Sequence, residues 1–178
     1  MTRRQVGIAA MLAMLMIVAF PGLLAYAAFS DLFTMTISNR ISIALVIGFL
    51  MVAAIVHMPI EAIGSHIGCG LAVLAGTFVL FAMGWVGGGD AKLAAAIALW
   101  LGFEHLADYG LVAALIGGAL TLAILQLRKL PLPRWAIERE WIARLHETDN
   151  GIPYGIALAI AGVLVYPDTS IWFSAITL

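Results

Sequence analysis

The sequence predicts an all-α polytopic membrane protein with about six transmembrane helices. Hydrophobic residues make up 63% of the 178-residue chain and charged residues only 11%, whereas soluble domains are near half apolar and a quarter charged. The length fits a single domain over residues 1–178. A net charge of −1 gives no field that would attract nucleic acid, so the lipid bilayer is the expected surrounding.

Six apolar segments are the candidate helices. A bilayer-spanning helix needs about 20 residues, with a range of about 17–25. Four of the six segments meet this range comfortably. The segments 91–103 and 151–166 are shorter and reach it only if flanking residues lie in the membrane interface. Asp90, which precedes the fourth segment, would then lie at or just below the headgroups. The segments cover residues 6–29, 41–58, 63–85, 91–103, 109–127 and 151–166.

The distribution of lysine and arginine predicts that both termini are extracytoplasmic, because cytoplasmic loops carry an excess of these residues. In this orientation Asp31, Asp90 and the polar loop 128–150 face the cytoplasm. The reverse orientation would place most of the basic residues outside. The cytoplasmic set is Arg40, Lys92, Arg128, Lys129, Arg134, Arg139 and Arg144, against Arg3 and Arg4 outside.

A cleaved signal peptide is the alternative interpretation of the N-terminus, where basic residues and an apolar stretch precede Ala25-Tyr26-Ala27. The stretch is too long for a signal core, and Pro21 interrupts it. Cleavage would also place Asp31 and the basic loop outside, against the charge distribution.

The loop 128–150 is the only sizeable polar segment. Pro131 and Pro133 end the preceding helix. Ile137, Trp141 and Leu145 then recur every four residues, which predicts a short amphipathic helix on the inner membrane surface. A solvated cytoplasmic linker is the alternative, because the segment is short.

Asp90 follows three glycines, Gly87 to Gly89, at the predicted membrane edge. Charge is costly there, so an acid in that position marks a candidate functional site. Glycines lack a Cβ and let a second chain come close. On the predicted topology only Asp31, at the end of the first segment, shares the depth of Asp90 and lies next to a tight turn. The two side chains could then face each other.

Two facing carboxylates can carry out general acid–base chemistry. Like charges a few ångströms apart do not ionise together, so the pair holds one proton and titrates as a unit. The charged group takes a proton from water while the protonated group polarises a carbonyl. This is peptide hydrolysis without a metal or a covalent intermediate. The structural alternatives are an interfacial Asp31 paired with Arg40, and an Asp90 that caps its helix.

Three short motifs, which we call islands, follow one another along the chain. Residues 30–40 carry Asp31 and then Ile37-Ser38-Asn39, residues 83–93 carry a GxGD-x-K-L core, and residues 151–157 place Pro-Tyr-Gly before the last segment. With the helix number, these islands resemble the membrane-embedded aspartyl prepilin peptidases, a branch of the GxGD intramembrane proteases. The resemblance is narrowest to the short prepilin peptidases of tight-adherence (Flp) pilus systems.

The resemblance implies that Asp31 and Asp90 are the catalytic pair. It implies an endopeptidase that cleaves the basic leader from prepilin (type IV or Flp pilin) precursors, at the cytoplasmic face of the bacterial inner membrane. The precursor's apolar helix would enter laterally. Ser38 replaces the Pro of the family's Ile-Pro-Asn turn, which predicts a less rigid turn. Only Cys69 is present, so the cysteine-rich zinc region and N-methyltransferase activity of the larger enzymes are not expected.

Four further residues are expected to shape the site. Gly87 and Gly89 control the approach to Asp90. Lys92 either holds the aspartate pair partly ionised or snorkels to the interface. Asn39 either caps the second helix or positions the turn before it. The histidines form no ligand-spaced set, so neither a metal nor another cofactor is expected.

Two other functions are compatible with these patterns. A small transporter or pilus-assembly subunit would use its intramembrane acids to carry protons or ions, without peptide cleavage. A GxGD protease with another substrate, such as a signal-peptide remnant, would share the chemistry. No pattern in the sequence predicts an oligomeric state.

Overall fold

The computed structural model describes residues 3–148 and 150–177, which form a bundle of α-helices. None of these residues belongs to a β-strand, which confirms the all-α class. A short 3₁₀ turn at Tyr166–Asp168 separates the last two helices. The helices of the described residues are α1 (Arg3–Thr34), α2 (Asn39–Ile55), α3 (Ile60–Ala82), α4 (Gly88–Leu101), α5 (Leu106–Leu127), α6 (Arg134–Ile137), α7 (Glu140–His146), α8 (Gly155–Val165) and α9 (Ser170–Ile176).

Each of the six predicted apolar segments coincides with one helix, from α1 to α5 and α8. By length and composition, three stretches of the described residues can cross a bilayer: Ile17–Thr34 of α1, all of α3 and all of α5. The α2 and α8 helices are apolar but shorter. The first helix continues through Asp31 to Thr34, and Pro21 lies inside it without ending it. Six membrane crossings therefore remain a prediction.

The α4 helix lies at the centre of the bundle and packs against α2, α3 and α8. It has only 14 residues, and nearly every one after Asp90 is buried except Lys92. Alanines on α4 let the α3 backbone come close. A Cβ on Gly70 of α3 would lie 3.2 Å from the Ala95 carbonyl oxygen and 3.2 Å from the Leu99 Cβ. Small residues allow the same close helix packing in membrane bundles generally.

An aromatic cluster joins the helices at the end of the bundle away from Asp31 and Asp90. The Trp100 ring of α4 lies 4.7 Å from Phe20 of α1 and 5.8 Å from Tyr166, between ring centroids. The Trp100 indole N–H donates a hydrogen bond of 2.9 Å to the backbone carbonyl of Leu45 on α2. Buried tryptophan normally satisfies its N–H in this way. One side chain thus ties α1, α2 and the end of α8 to α4.

The α8 helix runs antiparallel to α1, and two contacts define the register. Gly155 lies against Asp31, and Gly162, two turns later, lies against Leu24. A Cβ on Gly162 would lie 2.9 Å from Leu24 Cδ1 and 3.0 Å from Ile97 Cγ2 of α4. The last apolar helix therefore closes onto the first one, with α4 beside both.

The polar loop differs from the single amphipathic helix that was predicted. Its chain forms two short helices, α6 and α7, with a break between Ile137 and Glu140. The break turns Ile137 outward, where it is exposed, while Leu145 is buried. The two residues therefore do not share one apolar face, because a four-residue repeat makes a common face only in an unbroken helix.

The loop is also not a free solvated linker, because it is fastened to the bundle at two places. The Arg128 guanidinium at the end of α5 donates to the backbone carbonyls of Leu145 at 2.8 Å and Asn150 at 2.9 Å. The Arg144 guanidinium donates to the Phe33 carbonyl at 2.9 Å. The Trp141 ring packs edge-on against Phe33, with centroids 5.3 Å apart. The loop thus covers the end of α1 near Asp31.

Replacing Trp100 with alanine is expected to destabilise the bundle by about 2–4 kcal/mol, because it opens a cavity and removes the hydrogen bond from the indole to the Leu45 carbonyl. The measurement is the unfolding free energy of the purified protein in a mild detergent. Leu115→Ala on α5 is the matched control, since that side chain is 65% exposed, and should change stability by less than about 0.5 kcal/mol. Equal effects of the two variants would contradict the central role of Trp100.

Candidate active site

Asp31 lies in the last turns of α1 and is almost completely buried, with 5% of its surface exposed. The backbone N–H of Gly155 donates a 2.8 Å hydrogen bond to its Oδ2 atom. Gly155 is the first residue of α8, and the N–H groups of a first helical turn have no partner within their own helix. The helix dipole adds a favourable interaction with a negative charge. Asp31 is thus bound by this amide. Arg40, which the alternative interpretation paired with Asp31, is exposed.

The turn after Asp31 is held by its own side chains. Ser30 Oγ donates to the Thr36 carbonyl at 2.8 Å, and Thr34 Oγ1 donates to the Ser30 carbonyl at 2.7 Å. Met35, between them, takes a left-handed backbone conformation with φ of 53° that ends α1. These bonds fix the backbone between Ser30 and Thr36.

Ser38, and not Asn39, caps α2. The Ser38 Oγ accepts a hydrogen bond of 3.3 Å from the Arg40 backbone N–H, and Ser38 has the extended backbone of an N-cap residue. Asn39 is the first residue inside the helix, so the interpretation of Asn39 as the cap is wrong. A serine at the position of the expected proline therefore starts the second helix.

Ile37 fills the space between the starts of α4 and α8. A Cβ on Gly89 would lie 3.1 Å from Ile37 Cβ and 3.4 Å from its backbone nitrogen. A Cβ on Gly155 would lie 2.6 Å from Ile37 Cδ1. Both glycines thus accept the same side chain at distances that a larger residue would not tolerate. This packing brings the residue after Gly89, which is Asp90, to the end of the bundle where Asp31 lies.

Asp90 is the third residue of α4, and the cap of that helix is Gly87. The alternative in which Asp90 itself caps the helix is therefore wrong. Its carboxylate reaches back to the Gly87 backbone amide, as acids at the third helical position often do. A Cβ on Gly87 would lie 3.0 Å from Asp90 Oδ2. The other oxygen, Oδ1, is buried and has no hydrogen-bond partner among the described residues.

Ile37 lies against Gly155, whose amide holds Asp31, and against Gly89, which precedes Asp90, so the two carboxylates lie at the same end of the bundle. Asp31 has one oxygen held by an amide, whereas Asp90 has one oxygen free. An unpartnered buried carboxylate oxygen is costly unless water or a substrate atom meets it. The pair is therefore a candidate acid–base site, with Asp90 Oδ1 as its open position.

Lys92 and Asn39 form a second tie near the site. The Lys92 ammonium donates a 2.9 Å hydrogen bond to Asn39 Oδ1, which joins the first turns of α4 and α2. The Lys92 side chain is exposed, as in the snorkelling interpretation, yet its end group is bound. Together with Ile37, this bond sets how the first turn of α4 lies against the segment that follows Asp31. Among the described residues, no group of three His, Cys, Asp or Glu side chains could hold a metal ion.

A bundle of apolar helices that holds two carboxylates at one end is the arrangement expected of an aspartic-type peptidase in a membrane. The model of the type IV leader peptidase family matches residues 8–122, which is more than half of the chain, and the protein belongs to that family. The match confirms the predicted resemblance and the predicted enzyme class, an aspartic-type prepilin peptidase. Neither the curated proteins nor the solved structures contain a match to this sequence.

The matched range contains Asp31, Asp90 and Lys92 and ends within α5. The loop and α8 lie beyond it, although α8 supplies the amide that holds Asp31. The sequence patterns predicted neither this amide nor the role of Ile37. The signal for Gly155 was present in the third island, where a glycine begins an apolar helix directly after Pro153 and Tyr154.

Gly155→Ala is expected to lower peptidase activity about tenfold or more, because the added methyl group would lie 2.8 Å from Asp31 Oδ2 and displace it. The measurement is the initial cleavage rate of purified, folded enzyme on any leader-peptide substrate. Gly118→Ala on α5 is the control, because within the described part of the chain no atom from outside its own turn of helix lies within 4 Å of the added Cβ. Unchanged activity in folded Gly155→Ala enzyme would contradict the importance of this contact.

Proposed function

We propose that this protein is an intramembrane aspartyl endopeptidase that removes the basic leader from prepilin (type IV or Flp pilin) precursors. The cleavage takes place at the cytoplasmic face of the bacterial inner membrane. The observation that carries the proposal is the convergence of Asp31 and Asp90 at one end of an apolar helix bundle. Family membership supports prepilin cleavage as the reaction. The two carboxylates supply the acid and the base that this reaction needs.

The cytoplasmic placement of the site is supported by its neighbour, the polar loop. The loop contacts the end of α1 through Arg144 and Trp141, so it lies at the same end of the bundle as Asp31. It also carries most of the basic residues of the chain. Short loops rich in lysine and arginine stay on the cytoplasmic side. Site and loop would therefore both face the compartment in which a basic leader remains.

Hydrolysis would proceed with one proton shared between the two aspartates. The ionised carboxylate takes a proton from a water molecule, whose oxygen attacks the carbonyl carbon of the scissile peptide bond. The protonated carboxyl donates a hydrogen bond to the carbonyl oxygen and stabilises its developing negative charge. A proton then passes to the leaving amide nitrogen, the C–N bond breaks, and the pair returns to its starting state.

The surrounding residues suit these roles. The Gly155 amide fixes the position of the Asp31 carboxylate without taking both of its oxygens. Asp90 Oδ1 is free to meet the attacking water or the substrate carbonyl. Gly87 and Gly89 leave room for the groups that position Asp90, since the Asp90 Oδ2 atom lies against Gly87 and Ile37 lies against Gly89. Lys92 and Asn39 hold the start of α4 in place and act on the site through that position.

Asp31→Asn and Asp90→Asn are each expected to lower cleavage about 1,000-fold or more, because an amide can neither take nor supply the proton. Each variant is co-expressed with candidate pilin precursors, and loss of the leader is read as a size shift. Asp108, in the first turn of α5, is an exposed acid. Asp108→Asn is therefore the control and should cleave like wild type. Full cleavage by either site variant would refute the proposed pair. Proton or ion flux that needs Asp90, without any cleavage, would favour a transport function.

The rate of cleavage is expected to rise and then fall with pH. At low pH both aspartates are protonated and no base is left, and at high pH both are ionised and no proton donor is left. The rate should therefore fall about tenfold per pH unit well beyond each side of the optimum. The measurement is kcat/KM against pH on enzyme whose folding is checked at each point. A flat profile across several pH units would contradict the shared-proton mechanism.

A further inference from the structure

The first residues of α8 hold the Asp31 carboxylate, so the contacts that fix the start of this helix bear directly on the site. The amide that donates to Asp31 belongs to Gly155, the residue directly after Tyr154. Tyr154 occupies the N-cap position of α8, where Ser, Thr, Asp and Asn are usual because their side chains bond the first amides of the helix. The Tyr154 side chain makes no such bond. It extends to α5 instead.

The Tyr154 ring lies directly on Gly117 of α5. A Cβ on Gly117 would overlap the hydroxyl oxygen and Cζ of Tyr154 and would lie 2.8 Å from its Cε2. Among the glycines of the described residues this is the closest approach of all. Gly117 is buried, and only a residue without a side chain leaves room for the ring. We call this contact the ring seat.

The segment that leads into α8 is attached to the same face of α5 at a second point. The Arg128 guanidinium donates to the backbone carbonyls of Asn150 at 2.9 Å and Gly151 at 3.2 Å. Gly117 and Arg128 lie about three turns apart on α5, which is about 16 Å at 1.5 Å per residue. The backbone from Gly151 to Tyr154 spans at most about 10 Å, and the ring extends beyond it to Gly117. The segment is thus held at both ends.

The ring seat and Ile37 confine the Gly155 amide between them. Ile37 packs against Gly155 itself, because a Cβ there would lie 2.6 Å from Ile37 Cδ1. Tyr154, the preceding residue, is held on α5 by its ring. An aromatic side chain has only two χ angles, so a displacement at its tip passes to its backbone instead of being absorbed by rotation along a flexible chain. That backbone carries the amide that donates to Asp31.

We propose that Tyr154 and Gly117 are positioning residues of the peptidase. The seated ring fixes the Gly155 amide, and the amide fixes the Asp31 carboxylate in the orientation that hydrolysis needs. The proposal rests on the proposed function and assigns a part in it to two residues that act through Gly155. A misplacement of about 1 Å caused by a distant substitution can cost about 100-fold in rate. A methyl group on Gly117 finds no room beside the ring and therefore displaces it.

The kinetic test uses purified, folded enzyme and a leader-peptide substrate. Gly117→Ala fills the space under the ring, Tyr154→Leu removes the ring, and Tyr154→Phe keeps the ring without its hydroxyl. The first two are expected to lower kcat at least about tenfold with KM within about twofold, because a reacting group loses its orientation while substrate binding is kept. Tyr154→Phe and the matched control Gly118→Ala should stay within about threefold of wild type.

A double variant distinguishes one shared contact from two separate defects. Gly117→Ala combined with Tyr154→Leu should be no slower than Tyr154→Leu alone, because the added methyl group then meets no ring. Losses that multiply in the double variant would overturn the proposal. Gly117→Ala enzyme that matches Gly118→Ala would overturn it as well. A loss in Tyr154→Phe as large as that in Tyr154→Leu would overturn it too, because the hydroxyl and not the seated ring would then be the active group.

A second measurement needs no catalysis. Carbonyl-¹³C tyrosine combined with ¹⁵N glycine marks the amides of glycines that directly follow a tyrosine, which are Gly110 and Gly155. The Gly155 amide is expected to exchange with solvent at least about fivefold faster in Gly117→Ala than in Gly118→Ala, because its bond to Asp31 opens more often. Gly110, exposed in the first turns of α5, is the internal reference.

Equal exchange of the Gly155 amide in the two variants would overturn the proposal, whatever their activities. Wild-type enzyme that cleaves no leader peptide, although the Gly155 amide responds to Gly117→Ala as expected, would refute the proposed function and not the ring seat.

Discussion

The structure of the site depends on one hydrogen bond between distant parts of the chain, from the Gly155 amide to the Asp31 carboxylate. It joins the start of the last apolar helix to the end of the first, and it satisfies two groups that would be costly to bury alone. Gly155 has no side chain, so Ile37 can enter the same space and contact Gly89 beyond it. Through these contacts the position of α8 determines how Asp31 lies relative to Asp90.

Close packing around α4 makes this arrangement possible. In a membrane, burial of apolar surface does not by itself bring helices together, because lipid is as apolar as the helix faces. Gly70 and Gly162 let α3 and α8 approach α4 closely. The Trp100 bond to Leu45 orients α2 at the far end of the bundle, and the Lys92 bond to Asn39 orients it near the site. Between these ties α2 and α3 pack on α4 and make little contact with each other.

Much of the fold and part of the site could be predicted, because hydropathy is a strong local signal. The six apolar segments all became helices, and the two acids singled out by depth lie at one end of the bundle. Predictions failed where a choice between neighbouring residues decided the outcome. Ser38 caps α2 in place of Asn39, and the loop helix breaks after Ile137. Both depend on how the loop and the turn dock onto other helices, which a local pattern does not contain.

The sequence by itself determined the membrane class, the order of the helices, the family and the two carboxylates that can form a site. Only the tertiary structure decided what surrounds those carboxylates: the Gly155 amide on Asp31, the free oxygen of Asp90, and Ile37 between two glycines. The physical reason is that these helices are apolar on nearly every face, so their hydrophobic pattern does not specify which face turns inward. Rotation and register follow from small residues and a few hydrogen bonds between residues far apart in the chain.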